Sequence, residues 1–219
     1  MGRLSCQIIN QQRVEGMKHK YNELIKSLTD KELLFHLYMT QIILLVISFI
    51  LGLIFFDYFS YLNQIRFHDR NIVLIGIPAG IGVVILDLIL MKRLPPNYYD
   101  DGGLNERIFK HRNLLHIFFI AAFVAFSEEL LFRGIIQTKV GLIFASLIFA
   151  IIHYRYLFNW FLFANIVTLS FVIGAIYEWT DNLAVTIIMH FVIDFLLGIY
   201  IKFRHSKLSD HQEGAEPYE

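Results

Sequence analysis

The sequence predicts an all-α, polytopic membrane protein, a helical bundle of about six transmembrane helices. Its 219 residues are 56% hydrophobic and 17% charged, whereas soluble domains contain roughly 45–50% apolar and about 25% charged residues. Apolar runs of about 20 residues, the length that spans a bilayer, recur along the chain. The formal net charge is +0, so the charge balance predicts no nucleic-acid partner.

Six apolar segments are predicted to cross the lipid bilayer. Five of them have the full length of a span, namely 37–59, 72–91, 114–132, 157–177 and 183–203. The remaining one has a shorter apolar run, and residues 134–158 are predicted to make one span with a break near Gly141. Polar segments separate the spans, and the one long loop, 92–112, ends in a short amphipathic piece.

Lysine and arginine predict the orientation, because they concentrate on the cytoplasmic side of membrane proteins. With the N-terminus inside, 15 of the 19 lie on the inner side and 4 on the outer side. Both termini are therefore predicted to be cytoplasmic. Residues 1–36 would form a polar segment with Cys6 as a free thiol, and residues 204–219 a disordered tail.

Ionisable side chains cluster in three of the predicted spans. Each costs at least about 2.5–3.5 kcal/mol near the bilayer centre, so its presence needs a reason. Any one of them could be a structural contact between helices, but three clusters together indicate a site. The residues concerned are Glu128, Glu129 and Arg133 in the third span, Phe149 and His153 in the fourth, and His190 and Asp194 in the sixth.

Helical spacing sorts these groups onto faces, since residues four apart lie on the same side of a helix. Glu129 and Arg133 share a face and can form an ion pair, whereas Glu128 points about 100° away and is left for another partner. His190 and Asp194 also share a face. Either both bind one metal ion, or Asp194 orients His190 by a hydrogen bond.

The fourth span contributes one more pair with this spacing, because Phe149 would form a wall beside His153. The combined set of Glu128, His153, His190 and Asp194 suits the activation of water. Burial disfavours the ionised carboxylate and makes it a competent base. Histidines can bind a metal that acidifies water, or donate hydrogen bonds to an oxyanion. Both routes end in the hydrolysis of an acyl bond.

Three motifs in this order resemble those of the CPBP family, which comprises CAAX proteases and bacteriocin-processing enzymes and is also called Abi. They are Glu128-Glu129-x-x-x-Arg133, Phe149-x-x-x-His153 and His190-x-x-x-Asp194, and the resemblance covers about residues 114–200. It implies that Glu128 is the base that activates water and that His153 and His190 polarise the reacting groups or bind metal. Asp194 would support them, and Glu129 and Arg133 would be supporting structure.

One position departs from the family pattern, since Asp194 stands where asparagine is frequent. The added negative charge favours a metal ion or, without metal, makes Glu128 a stronger base. The resemblance leaves both routes open: zinc held by His153, His190 and Asp194, or a metal-free mechanism.

We predict an intramembrane endopeptidase of the bacterial plasma membrane that cleaves a membrane-associated protein or peptide. Its catalytic membrane core would be 114–203, preceded by two transmembrane helices and a cytoplasmic loop at 37–113. The alternatives are a non-catalytic membrane scaffold or a bacteriocin self-immunity protein of the same fold. A small proton-coupled transporter is a further alternative, because buried acids and histidines also relay protons.

Overall fold

The computed structural model describes residues 16–17, 20–21, 23–95, 98–99, 101–153, 156 and 159–213. Within these ranges the chain is helical and has no strand, which confirms the all-α bundle. Seven α-helices follow one another: α1 (Asp30–Phe55), α2 (Ile77–Arg93), α3 (Leu104–Phe109), α4 (Leu114–Glu129), α5 (Thr138–Ile152), α6 (Trp160–Thr180) and α7 (Leu183–Glu213). A 3₁₀ helix, Asp57–Gln64, follows α1, and two π-helical segments, Ile72–Gly76 and Leu130–Gln137, lead into α2 and α5.

Five helical stretches of the described chain are long and apolar enough to cross a membrane, so the protein is a polytopic membrane protein. They are Asp30–Phe55, Ile72–Arg93, Leu114–Ile152, Trp160–Thr180 and Leu183–His205. The third stretch has 39 residues. A straight helix of that length would measure about 58 Å, nearly twice the thickness of the hydrocarbon core.

The break predicted near Gly141 is present, but the long stretch turns back there instead of continuing as one span. Gly141 has φ 83° and ψ 168°, a backbone conformation that is essentially restricted to glycine. Beyond it, the ring of Phe149 lies 4.8 Å from that of Phe132, a separation that a straight helix would raise to about 25 Å. The helix is continuous from Leu114 through Val140, so no new span starts at 134, and the returning segment ends at Ile152, shorter than predicted.

Two helix ends differ from the sequence prediction. The first span begins at Asp30 rather than at 37, because Thr29 and Glu32 form a capping box in which each side chain accepts a backbone N–H of the other. The last helix continues to Glu213, so most of the tail predicted to be disordered is helical. No glycine or proline interrupts residues 199–213. Residues 214–219 and Cys6 lie outside the described part of the chain.

Close contacts fix the helices around α4. Helix α7 packs against α2 at Gly76 and Gly80, where an added Cβ would lie within 2.8 Å of backbone carbonyl oxygens of α7. Helix α1 runs parallel to α4, and the hydroxyl of Tyr38 is hydrogen-bonded to Nε2 of His116 at 3.1 Å. These contacts hold α7 against α2 and α1 against α4.

The N-terminus of α7 is tied to the connection between α1 and α2 by Asn182. Its side chain donates to the carbonyl oxygen of Arg66 and to Asp69, and it accepts the backbone N–H groups of Arg66 and Ala184. Hydrogen bonds from the backbone N–H of Asn71 and from Asn182 hold the pKa of Asp69 below its usual value. These hydrogen bonds therefore hold the N-terminus of α7 against the connection between α1 and α2.

Helix α6 carries both tryptophans of the protein, one at each end. Trp160 is 70% exposed and Trp179 is 75% exposed. Tryptophan is enriched where the hydrocarbon core meets the lipid headgroups, so the two rings mark the two membrane boundaries of α6.

Candidate active site

The two adjacent glutamates lie at the end of α4, where the helix passes into the π-helical segment Leu130–Gln137. Such segments occur frequently at functional sites. The side chain of Glu129 is 0% exposed and that of Glu128 is 8% exposed. Both carboxylates are thus buried inside a membrane protein, where each needs partners.

Glu129 is held by two cationic partners. Its Oε2 lies 3.5 Å from Nε of Arg133, which confirms the ion pair predicted from the i,i+4 spacing. Its Oε1 accepts a hydrogen bond from Nδ1 of His190 at 2.9 Å. The second contact joins α4 to α7 and was not predicted, because spacing along one helix carries no information about the helix opposite.

His190 lies between two carboxylates. Its Nε2 is 3.5 Å from Oδ2 of Asp194, in agreement with the predicted pairing of these two residues. Since an ionised carboxylate can only accept hydrogen bonds, a proton on each ring nitrogen satisfies both contacts. This arrangement favours the doubly protonated, positively charged imidazolium form of His190.

Arg133 extends this group towards α5 and α6. Its Nη2 donates to both the carbonyl oxygen and the hydroxyl of Ser170 at 3.1 Å. Its guanidinium carbon lies 4.8 Å from the ring centroid of Phe149, a cation–π distance. We call Glu129, Arg133, His190 and Asp194 the charged clamp.

Glu128 faces His153 across a wider gap. Oε2 of Glu128 and Nε2 of His153 are 3.9 Å apart, which is too long for a direct hydrogen bond. Nδ1 of His153 is 2.8 Å from the carbonyl oxygen of Phe149, which can only accept, so Nδ1 carries a proton. In the neutral ring, Nε2 then presents a lone pair towards Glu128.

Phe149 forms the predicted wall beside His153. The two rings stack with centroids 4.3 Å apart and an interplanar angle of 29°. The same Phe149 ring contacts Arg133, so one aromatic side chain bridges the charged clamp and His153.

The other oxygen of Glu128 meets a residue that the sequence analysis missed. Nε2 of Gln41, on α1, lies 3.5 Å from Oε1 of Glu128. Oε1 of Gln41 accepts a hydrogen bond of 2.5 Å from the hydroxyl of Ser127. An amide side chain in an apolar span was the available signal, since Gln41 lies within the first predicted span.

A second intramembrane contact joins Asp87 of α2 to Asn165 of α6. Nδ2 of Asn165 donates to Oδ1 of Asp87 at 3.1 Å. The sequence predicts that Asp87 lies near the inner interface or lines a cavity, and that Asn165 lines a cavity or contacts another helix. Their contact supports the interhelical role.

The donors predicted for zinc do not form one metal-binding group. Among the described residues, no three His, Cys, Asp or Glu side chains converge closely enough to hold a metal ion. Both nitrogens of His190 already face carboxylate oxygens. The arrangement of His153, His190 and Asp194 therefore does not fit a zinc ion.

Comparison with known proteins decides the family. Residues 110–196 match the family described as Type II CAAX prenyl endopeptidase Rce1-like. Over 182 residues the chain is 41% identical to the uncharacterized protein YpbD of Bacillus subtilis, an alignment that covers 83% of this chain and 96% of YpbD. The chain belongs to the Rce1-like family. This confirms the predicted resemblance to the CAAX proteases.

A more distant relative is the UPF0177 protein YxdF of Lactococcus lactis, which is 28% identical over 120 residues, 52% of this chain and 66% of YxdF. No solved structure matches the chain. The Rce1-like match contains all three motifs, whereas α1 with Gln41 and α2 with Asp87 lie before it. Membership supports a CAAX-type intramembrane protease in general terms.

Proposed function

We propose that this Rce1-like protein is an intramembrane endopeptidase in which Glu128 activates water against a peptide bond. The observation that carries the proposal is the apposition of Glu128 Oε2 and His153 Nε2 at 3.9 Å. A water molecule at this gap donates one hydrogen to each acceptor and keeps a lone pair for attack. In the charged clamp beside it, Arg133 pairs with Glu129, and His190 pairs with Glu129 and Asp194.

The reaction proceeds by proton transfer through Glu128. The water oxygen bonds to the peptide carbonyl carbon as its proton passes to the carboxylate, which forms a tetrahedral oxyanion. Glu128 then gives this proton to the peptide nitrogen, and the C–N bond breaks. The products are a new carboxyl terminus and a new amino terminus. No step passes through a metal ion.

His153 and His190 have different tasks in this scheme. His153, whose Nδ1 proton is bound to the Phe149 carbonyl oxygen, orients the attacking water through Nε2. His190 carries positive charge, and its Nε2–H, held only at 3.5 Å by Asp194, turns to the oxyanion as it forms. One such donor is typically worth about 10²–10³ in kcat.

The substrate is a peptide bond of a membrane-associated protein or peptide, because the site lies inside the bundle. We place the protein in the bacterial plasma membrane with both termini in the cytoplasm, as its lysine and arginine distribution predicts. The bacterial origin of YpbD and YxdF supports this location.

Comparison of cellular peptides tests the proposal. Bacteria that lack the native protein receive the wild type, Glu128→Gln, or the matched control Glu178→Gln, which removes a carboxylate of α6 outside the site. Mass spectrometry of protein termini should find fragments that require the wild type or Glu178→Gln and are absent with Glu128→Gln. Equal abundance of the variants in the membrane is checked by immunoblot.

Unchanged fragments in Glu128→Gln would overturn the protease assignment. A scaffold predicts a cellular phenotype that survives Glu128→Gln at equal expression. A transporter predicts ion flux in proteoliposomes without any peptide product.

A further inference from the structure

We propose that Gln41, itself held by Ser127, is a positioning residue that fixes the carboxylate of Glu128 for its reaction with water. Gln41 holds Oε1 of Glu128 so that Oε2 faces His153. This inference rests on the proposed function, in which Glu128 is the base. It assigns a role in the active site to α1, which lies before the part of the chain that matches the Rce1-like family.

Gln41 is buried, and both ends of its amide are engaged. Its residue exposure is 5% and that of Ser127 is 0%. Because the Ser127 hydroxyl points at Oε1 of Gln41 at 2.5 Å, the NH₂ end of the amide faces Glu128 at 3.5 Å. The carbonyl oxygen of Phe123 lies 2.7 Å from the same hydroxyl oxygen, so it shares the one hydroxyl hydrogen with Gln41.

Helix α1 is itself fixed against the site. Leu44, close to one turn beyond Gln41, packs in a buried cluster with Leu131, Phe132 and Phe149. Phe149 in turn stacks on His153. The amide of Gln41 and the imidazole of His153 are therefore held on one common apolar wall, with Glu128 between them.

Fixing one oxygen matters because rotation of a glutamate about its last torsion angle is only weakly restricted. Without Gln41, the carboxylate can turn either oxygen, or its edge, towards His153. A misplacement of about 1 Å can cost about 10²-fold in rate. The contacts of Ser127 with Gln41, of Gln41 with Glu128 and of Phe149 with His153 together favour one orientation of the carboxylate, in which Oε2 faces Nε2 of His153.

Ser48 provides a matched control for a purely structural contact. It lies two turns beyond Gln41 and is completely buried, but its hydroxyl donates to the carbonyl oxygen of Leu44 in its own helix. Ser48→Ala thus removes a buried polar group from α1 without touching Glu128.

Kinetics of purified variants test the positioning role, with a fluorogenic peptide that spans a cleavage site mapped by the comparison of protein termini. Gln41→Met keeps the volume and removes both hydrogen bonds. We expect kcat to fall about 10–100-fold while KM stays within about twofold. Ser48→Ala should match the wild type in both constants, and thermal melting reports whether each variant is folded.

Ser127 variants supply a second route. Ser127→Ala should lower kcat less than Gln41→Met, and Ser127→Thr, which keeps the hydroxyl, should restore it. The double variant should be no slower than Gln41→Met alone, because Ser127 acts through Gln41. If Gln41→Met fails to fold, the contrast between Ser127→Ala and Ser127→Thr decides the matter.

Infrared spectroscopy tests the contact without any substrate. The difference spectrum between the wild type and Glu128→Gln isolates the stretching bands of the Glu128 carboxyl group, and these should shift in Gln41→Met but not in Ser48→Ala. An unchanged kcat in a folded Gln41→Met, or a rise in KM alone, would overturn the inference even if the bands shift. If the wild type cleaves nothing, the proposed function has failed, and the positioning role fails with it. The infrared bands still report in that case whether Gln41 is hydrogen-bonded to Glu128.

Discussion

Glu128 and Glu129 are neighbours in sequence, yet their surroundings differ in distance and in charge. Glu129 is fully buried and lies 2.9 Å from His190 and 3.5 Å from Arg133. Glu128 lies 3.9 Å from His153 and 3.5 Å from the neutral amide of Gln41. A rotation of about 100° around the helix axis directs one carboxylate into the charged clamp and the other towards His153 at 3.9 Å.

The difference indicates that Glu129 stabilises the fold, whereas Glu128 is available for the reaction. In the charged clamp, two positive and two negative side chains cancel, which lowers the cost of burying each of them. Glu128 is the surplus negative charge of the site. A tightly bound carboxylate is a poor base, whereas one with a weakly held oxygen can accept a proton from water.

The largest predicted effect is the loss of stability in Glu129→Ala. It leaves Arg133 and His190 with an uncompensated buried charge, which typically costs about 3–5 kcal/mol. Thermal melting in detergent should show a marked fall, together with loss of cleavage. Glu128→Ala is the control, and equal melting temperatures of the two variants would break the comparison.

Glu128→Gln should separate activity from stability. Cleavage of the mapped peptide should fall about 10²–10⁴-fold, the usual range for removal of a general base. The melting temperature should stay within a few degrees of the wild type, because Glu128 makes no tight ion pair. A loss of stability like that of Glu129→Ala would show that both glutamates serve the fold.

Phe149→Leu should affect both regions to a smaller extent. The variant loses the cation–π contact with Arg133 and the stacking on His153, for a destabilisation of about 1–3 kcal/mol. The backbone carbonyl that holds Nδ1 of His153 is retained, so cleavage should fall less than in Glu128→Gln. Phe144→Leu is the control in the same helix, where the ring is exposed; a similar loss in both variants would contradict the bridging role.

Asp194→Asn should have the smallest effect. Asp194 is 26% exposed and 3.5 Å from His190, and an amide oxygen still accepts the Nε2–H. A partly exposed pair of this kind is worth at most about 1 kcal/mol, and we expect kcat within about tenfold of the wild type. Melting and kinetics measured side by side check this, and a fall as large as that of Glu129→Ala would show that the charge of Asp194 is as important to the charged clamp as that of Glu129.

Contacts within one helix could be predicted from the sequence. The pairs Glu129–Arg133, His190–Asp194 and Phe149–His153 all follow from the rule that residues four apart share a helix face. A break near Gly141 was predicted as well, because an apolar run interrupted by glycine suggests one, but it was placed inside a span and not at a turn between two. These features depend on local geometry alone.

Contacts between helices could not be predicted in this way. Glu129 and His190 are 61 residues apart, and Gln41 and Glu128 are 87 residues apart. The helix faces that meet are determined by crossing angles and by close approaches such as that of Gly80 to α7. Neither of these produces a periodic pattern in a single sequence. For the same reason one sequence does not show whether His153 lies near His190 and Asp194, which a shared zinc ion would require.

The two tryptophans of α6 also set a depth for the reaction. They are 19 residues apart, a rise of about 28 Å, which is close to the thickness of the hydrocarbon core. Contacts of Arg133 with Ser170 and of Gln137 with Gly174 fix the axial position of α6 relative to the helix that carries Glu128. Glu128 is then level with residue 165, about 8 Å from the Trp160 boundary. A substrate would need to unwind only where it emerges from the lipid, and the rest of its transmembrane helix could stay intact.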